Sequence, residues 1–154
     1  MDTKDICKKC RASCCKLGGT DFTLSEKTIV LDAGYPNFFV KIDDNHYELD
    51  CVDGICPYLT KQNTCAIYEY RPLACKSFPV YVNVEDNKLS SRYKILPCPL
   101  SKFLSEDEIK EKQGQVDKIE DILKTTFSKS KLPKRDLNNI AKRFNKIQNG
   151  EIKI

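Results

Sequence analysis

The sequence predicts an α+β protein: a small irregular domain of short helices and β-hairpins, followed by a C-terminal pair of α-helices. Three observations predict it. All nine cysteines lie before residue 100, two hairpin patterns lie among them, and residues 101–154 carry apolar residues at helical spacing. We therefore expect a cysteine-rich domain over residues 1–100 and a helical extension over residues 101–154.

Short elements separated by turns are predicted in the cysteine-rich part. The stretch "TLSEKTIVLDAGYP" predicts a helix that begins at about Ser25 and is closed by Gly34. The stretches "FFVKI" and "HYELD" predict a hairpin around Asp43 to Asn45. The stretch "FPVYVNVEDNKLSSRYKILPC" predicts a second hairpin, because its valines alternate with polar or amphipathic residues.

Two amphipathic helices are predicted in the C-terminal part. Ser105 and Glu108 have the spacing of a capping box at the start of the first helix. The apolar stripe of that helix comprises Val116, Ile119, Leu123 and Phe127. The stripe of the second helix comprises Leu137, Ile140, Ala141, Phe144 and Ile147.

The composition excludes several classes of protein. The chain has 154 residues, of which 40% are apolar and 31% charged, as in an ordinary globular protein. No stretch reaches the ~20 apolar residues that span a bilayer, and the N-terminus has no apolar segment typical of a signal peptide. We expect the protein to be cytoplasmic, and in the cytoplasm thiols stay reduced. The odd number of cysteines also disfavours a scheme of disulfides alone.

The net charge of +4 arises in the C-terminal part, where 13 Lys and Arg face 9 Asp and Glu. Residues 129–146 carry seven basic residues against one acidic residue, Asp136. Such a run attracts acidic partners, and we expect a protein partner to bind through the C-terminal helices. Nucleic-acid binding is the less favoured alternative, because no aromatic stacking pattern accompanies the charge. A solvated helix face is the plainest explanation.

The stretch "CKKCRASCC" concentrates four thiols in nine residues. If it is helical, Cys7, Cys10 and Cys14 lie within about 60° of one another and Cys15 points about 100° away from Cys14. If it is a loop, Cys7 and Cys10 can close a chelating turn of the zinc or iron–sulfur type. Thiolates so close together repel unless a cation lies among them. The pattern therefore favours metal binding.

Five further thiols follow, and their number bears on the kind of centre. They are Cys51, Cys56, Cys65, Cys75 and Cys98. Dense thiolate sets favour Zn, Cu(I) or iron–sulfur clusters, and nine thiols exceed the four that one closed site needs. Two sites or one polynuclear cluster are predicted. Cys98 is the candidate bystander or exchangeable ligand, and the vicinal pair Cys14-Cys15 is a candidate reversible disulfide.

The ordered motifs "CKKCRASCC", "CVDGICPYL" and "CAIYEYRPLACKSFP" resemble those of the YkgJ-like cysteine-cluster family, described as zinc- or iron-chelating proteins and often as iron–sulfur oxidoreductases. The resemblance runs from about Cys7 to Pro99, and flagellin lysine N-methylases carry a related domain. It implies that the thiols from Cys7 to Cys75 correspond to family cysteines. Cys98-Pro99 resembles a later Cys-Pro of the family, with Leu100 where glycine is usual. No glycine-rich nucleotide loop follows a strand, so methyl transfer by this chain alone is not expected.

Arg71 and Tyr68 are the candidate residues around the cofactor. Arg71 is expected to donate hydrogen bonds to a cluster or to form a structural ion pair, and Tyr68 to shield metal from water. His46 is expected to be exposed beside a turn, without a catalytic or ligand role.

The leading hypothesis is a protein with iron–sulfur clusters of the [4Fe–4S] type, acting in electron transfer or as an accessory to the maturation or modification of another protein. The alternatives are a zinc-stabilised interaction module and a thiol redox sensor built on Cys14-Cys15.

Overall fold

The computed structural model describes residues 3–18, 20–85, 88–95 and 98–125, together with residues 142, 143, 145, 146 and 149. Within these residues the fold is α+β, as predicted, with four α-helices and two antiparallel hairpins. None of the described helices combines the length and the apolar character that crossing a membrane requires.

The N-terminal cysteine stretch is not one continuous helix. Helix α1 spans Thr3–Lys9, and a separate 3-10 helix spans Ser13–Lys16. Between them Arg11 and Ala12 have left-handed φ values of 60° and 50°, which an α-helix does not accommodate. The buried Ser13 hydroxyl donates to the Cys10 carbonyl at 2.7 Å and holds this reversal of direction. The single-helix alternative was therefore wrong.

Helix α2, Leu24–Asp32, confirms the first predicted helix and begins at a capping box. The backbone N–H of Glu26 donates to the Thr23 hydroxyl at 3.2 Å, and its carboxylate accepts from the Thr23 N–H at 3.0 Å. The other Glu26 oxygen accepts from the N–H of Leu73 at 2.7 Å, at the start of helix α3, Leu73–Lys76. One carboxylate thus joins two helices that are far apart in sequence.

Strands β1, Phe39–Asp43, and β2, His46–Leu49, form the first predicted hairpin. A β-bridge between Phe22 and Tyr47 attaches the preceding segment to β2. The main core lies against this hairpin, and its buried residues are Phe22, Val30, Tyr47, Leu49, Tyr58 and Ile67.

The second predicted hairpin is also present, as strands β3, Val80–Glu85, and β4, Lys88–Ile95. Helix α4, Glu106–Thr125, packs against α3 and β3, where Val116 and Val80 share a small buried cluster. The predicted capping box is confirmed, because the Glu108 N–H donates to the Ser105 hydroxyl at 3.2 Å.

The second C-terminal helix was predicted mainly on residues outside the described part of the chain. Its stripe residues Leu137, Ile140, Ala141, Phe144 and Ile147 all lie outside it. Residues 142, 143, 145 and 146 are helical. The domain boundary at residue 100 stays a prediction.

Arg143 ties the C-terminal part to two cysteine-bearing loops. Its guanidinium donates hydrogen bonds to the carbonyls of Lys16 and Asp53. Gly54, with φ +75°, lies against the guanidinium of Arg143, and a Cβ placed at Gly54 would lie 2.8 Å from Nη2 of Arg143. The turn therefore needs glycine for two reasons, its backbone conformation and the close approach of Arg143.

We expect Gly54→Ala to destabilise the protein by more than Gly34→Ala. At Gly34, φ is +90° but nothing lies within 4 Å of the added Cβ, so only the left-handed backbone costs about 1–2 kcal/mol. Gly54→Ala adds the displacement of Arg143. Urea unfolding measures both variants.

Gly114→Ala is the matched control, since this glycine lies within α4 with open space around it, and it should stabilise by about 0.5–1 kcal/mol. In an Arg143→Ala background, the excess cost of Gly54→Ala over Gly34→Ala should disappear. An excess that persists there would show that Arg143 does not cause it.

Candidate metal centre

Three thiols from distant parts of the chain meet at the end of α1. Cys7 lies in α1, Cys10 just after it, and Cys98 immediately before the 3-10 helix Pro99–Lys102. The Cys10 sulfur is hydrogen-bonded to both Cys7 and Cys98. Cys10 and Cys98 are buried together, with Leu17, Phe78 and Leu100 packed around them. We call Cys7, Cys10 and Cys98 the first thiol group.

A second thiol group comprises Cys15, Cys56, Cys65 and Cys75, in which Cys56 and Cys75 interact electrostatically with each other and with both Cys15 and Cys65. Backbone bonds position it, since the Cys56 N–H donates to the Cys15 carbonyl at 2.8 Å. A β-bridge between Leu59 and Cys65 folds the next loop back. The backbone of Arg71 is extended, with ψ 145°, and it ends the 3-10 helix Tyr68–Tyr70. Helix α3 follows and carries Cys75. An extended conformation is the one favoured for a residue that precedes a proline, here Pro72.

Cys14 lies between the two groups. Its sulfur is 3.9 Å from that of Cys15. It also interacts electrostatically with thiols of both groups: with Cys7, Cys10 and Cys98 on one side, and with Cys56, Cys65 and Cys75 on the other. The vicinal pair is thus the junction of the two groups.

Cys51 lies at the edge of the second group. The turn from Cys51 to Cys56 has Asp53 and Gly54 at positive φ, and a bridge between Val52 and Ile55 closes it. Burial and the nearby carboxylates of Asp50 and Glu48 raise the pKa of Cys51. Cys51 is therefore the thiol with the most acidic surroundings.

Hydrogen bonds between thiols separate the pKa values within the first group. The Cys10 sulfur lies 3.4 Å from the Cys7 carbonyl oxygen, and interaction with the Cys7 and Cys98 side chains lowers the pKa of Cys10. The same interactions with Cys10, followed by burial, raise the pKa of Cys7 and that of Cys98. Cys14 has a lowered pKa, chiefly through its hydrogen bond with Cys15, and the same bond raises the pKa of Cys15.

Burial dominates the second group. It raises the pKa of Cys56 to about 12 and also raises the pKa of Cys65 and of Cys75. Such thiols keep their protons at neutral pH unless a cation replaces them. The donor set therefore suits a metal that is soft enough to bind sulfur.

Three cationic side chains lie close to the thiols. Lys16 is 2% exposed, donates to the Asn63 side chain at 3.0 Å and interacts with Cys15 and Cys10. Arg71 lowers the pKa of Cys14 and of Cys65. Lys112 reaches from α4 to the Lys76 carbonyl at 2.7 Å and interacts with Cys14. Burial, followed by the charge of Arg71, lowers the pKa of Lys112.

The spacing of the sulfurs bears on the kind of metal centre. Four sulfurs bound to one zinc at 2.3 Å lie roughly 3.8 Å apart. In the part of the chain that the structure describes, one group of three possible ligand atoms lies within 4.8 Å of one another. The three atoms belong to Asp21, His46 and Glu48, and none is a cysteine sulfur. A polynuclear cluster, whose metal ions bind different sulfurs, accommodates a wider set. Sulfur ligands suit zinc and iron alike, so the donor set fits a centre of either metal.

The structure brings together the residues that the sequence singled out. Eight of the nine predicted thiols lie in the two groups or at their junction. Cys98 lies beside Cys7 and Cys10, and Cys51 is the thiol at the edge. Arg71 stacks on Tyr68, 3.8 Å from the ring centroid, and its Nε donates to the Tyr68 carbonyl at 2.9 Å. Their roles toward a cofactor stay predictions.

Sequence reasoning missed Lys16 and Lys112, and it misplaced His46. Nothing in the local sequence distinguishes the buried Lys16 from the other lysines of its stretch. His46 is fully buried rather than exposed, and its ring Nε2 is hydrogen-bonded to Oδ1 of Asp21 at 2.8 Å. That hydrogen bond raises the pKa of His46.

Comparisons with known proteins agree with this arrangement. Residues 6–99 match the family model CxxCxxCC, described as a "putative zinc- or iron-chelating domain". No curated protein and no solved structure matches the chain. The matched range begins one residue before Cys7 and ends one residue after Cys98, so it includes both thiol groups. With well over half of its length matched, the chain belongs to the CxxCxxCC family of zinc- or iron-chelating domains.

Proposed function

We propose that this chain is a cytoplasmic iron–sulfur protein with two thiolate-bound centres, acting in electron transfer or as an accessory to the maturation or modification of another protein. One centre is held by Cys7, Cys10, Cys14 and Cys98, and the other by the second thiol group. Such centres exchange single electrons when loaded. The basic C-terminal part supplies the surface for an acidic protein partner.

The observation that carries the proposal is the division of the thiols by the vicinal pair. The first thiol group has three members, and Cys14 interacts with all of them. Four thiolates are what one iron–sulfur or zinc centre takes. Cys15, the next residue, completes a second set of four. The left-handed Arg11 and Ala12 redirect the chain between Cys10 and this pair.

The cations near the thiols support an anionic centre. Four thiolates on a [4Fe–4S]²⁺ or Zn²⁺ centre leave a net charge of about −2. Burying such a charge is costly unless positive groups lie nearby. Lys16, Arg71 and Lys112 supply them, and the first and third are themselves partly or wholly buried.

We expect anaerobically purified protein to be brown and to contain iron and sulfide in two sets. Cys98→Ser and Cys75→Ser should each lower the iron content by about half, because each removes a ligand from one centre only. The double variant should lose nearly all of it. Elemental analysis together with absorption near ~400 nm measures the effect.

Cys51→Ser tests the proposed division of the ligands, because Cys51 interacts with Cys56 but is counted in neither set of four, and unchanged iron content is expected. A colourless preparation with stoichiometric zinc would replace the proposal with a zinc-stabilised interaction module. A metal-free chain that stays folded and cycles Cys14-Cys15 would replace it with a thiol redox sensor.

Arg71 should tune the reduction potentials of both centres, because its charge acts on Cys14 of the first and on Cys65 of the second. Removing its positive charge disfavours the more negative reduced state, so Arg71→Gln should lower the midpoint potential by on the order of tens of millivolts. Arg71→Lys retains the charge and should recover most of the shift. Potentiometric titration followed by absorption or EPR measures the potentials.

Lys41→Gln is the control, because it removes the same charge from β1, where Lys41 pairs with the exposed Asp44 at 3.1 Å. An equal shift in Lys41→Gln, or no shift in Arg71→Gln, would exclude this role. A large loss of iron in Arg71→Gln would instead assign Arg71 to the structure of the turn.

A further inference from the structure

A second constellation of metal-ligand type lies apart from the two thiol groups. Ligand atoms of Asp21, His46 and Glu48 all lie within 4.8 Å of one another. The closest pair is Nε2 of His46 and Oδ1 of Asp21, at 2.8 Å. We call these three residues the Asp–His–Glu cluster. Its donors are one imidazole nitrogen and carboxylate oxygens, with no sulfur.

Backbone hydrogen bonds hold the cluster in place. The N–H of Phe22 donates to the Tyr47 carbonyl at 2.8 Å, and the N–H of Tyr47 donates to the Phe22 carbonyl at 3.0 Å. His46 and Glu48 flank Tyr47 in β2, so they lie on the same face of the strand. The bridge places Asp21 across from them. The three donors are therefore set by the fold rather than by flexible loops.

Burial and charge make the cluster suitable for a cation. The His46 side chain is fully buried and that of Asp21 is 11% exposed. Two carboxylates beside one imidazole carry a formal charge of −2 when the ring is neutral and −1 when it is protonated. A divalent ion would offset both carboxylates, and Glu48, which is only half-buried, provides the side from which an ion enters.

We propose that Asp21, His46 and Glu48 bind a divalent cation of the Mn²⁺, Fe²⁺ or Zn²⁺ class, at a site separate from the thiolate centres. One imidazole with two carboxylates suits these borderline and hard ions. The thiols select softer ions or iron–sulfur clusters. The chain thus offers two classes of metal environment, and they are distinguished by donor chemistry.

Mn²⁺ is the probe that separates the two environments, because it favours oxygen and nitrogen donors over thiolates. The anaerobically purified full chain, with its thiolate centres loaded, is titrated with Mn²⁺ and the free ion is measured by EPR. We expect about one Mn²⁺ per chain. His46→Gln and Glu48→Gln should each weaken Mn²⁺ binding by at least roughly tenfold. Mutating a residue that only supports a metal ligand typically costs about 10–100-fold in metal affinity, so tenfold is a conservative value for a ligand itself. Iron content should not change.

Asp44→Asn is the matched control, because Asp44 is an exposed carboxylate in the turn of the same hairpin, and binding should be unaffected. Glu48→Gln keeps the test valid if the buried His46 variant fails to fold. Absence of Mn²⁺ binding up to millimolar concentration would overturn the proposal. So would binding that survives both cluster variants, which would indicate scattered surface carboxylates. Both results are independent of the iron content, so they leave the proposed iron–sulfur function standing.

Discussion

The cost of ionising buried thiols is the constraint on which the rest of this structure depends. Burial raises the pKa of Cys56, Cys65 and Cys75, so these side chains cannot become thiolates together in the absence of positive charge. A metal bound there would take the place of the protons and offset part of the charge of the thiolates. The fold contributes the nearby cations and keeps the sulfurs away from bulk water. Binding metal and completing the fold are therefore coupled.

The backbone around the vicinal pair distributes a linear motif over two groups of thiols. A continuous helix would have directed Cys7, Cys10 and Cys14 along one face and left Cys15 alone. The left-handed residues after Cys10 change the direction of the chain, and Cys14 and Cys15 then sit on a short 3-10 helix. From there Cys14 interacts with both groups, while the Cys15 carbonyl accepts the N–H of Cys56. The adjacent Cys14 and Cys15 thereby connect the two thiol groups.

The elements outside the thiol groups mainly hold those groups in position. The aromatic core around Phe22 and Tyr58 packs against Cys51, Cys56 and Cys65, which fixes one side of the second group. Helix α4 shares a cluster with β3 through Val116 and carries Lys112 to the neighbourhood of Cys14. Arg143 bonds carbonyls next to Cys15 and within the Cys51–Cys56 turn. The C-terminal part is thus in contact with the cysteine-rich part at several points.

Local sequence patterns predicted the fold class, both hairpins, α2 and the capping box of α4, because these depend on the spacing of apolar, turn and capping residues. They also predicted metal binding, because thiols placed so close together repel unless a cation lies among them. The grouping of the thiols could not be predicted in this way, because Cys98 and Cys10 are 88 residues apart in the numbering and meet through packing. The same holds for the buried His46, whose partner Asp21 reaches it through a β-bridge between distant segments. Local patterns specify elements, whereas the pairing of distant residues depends on how those elements pack.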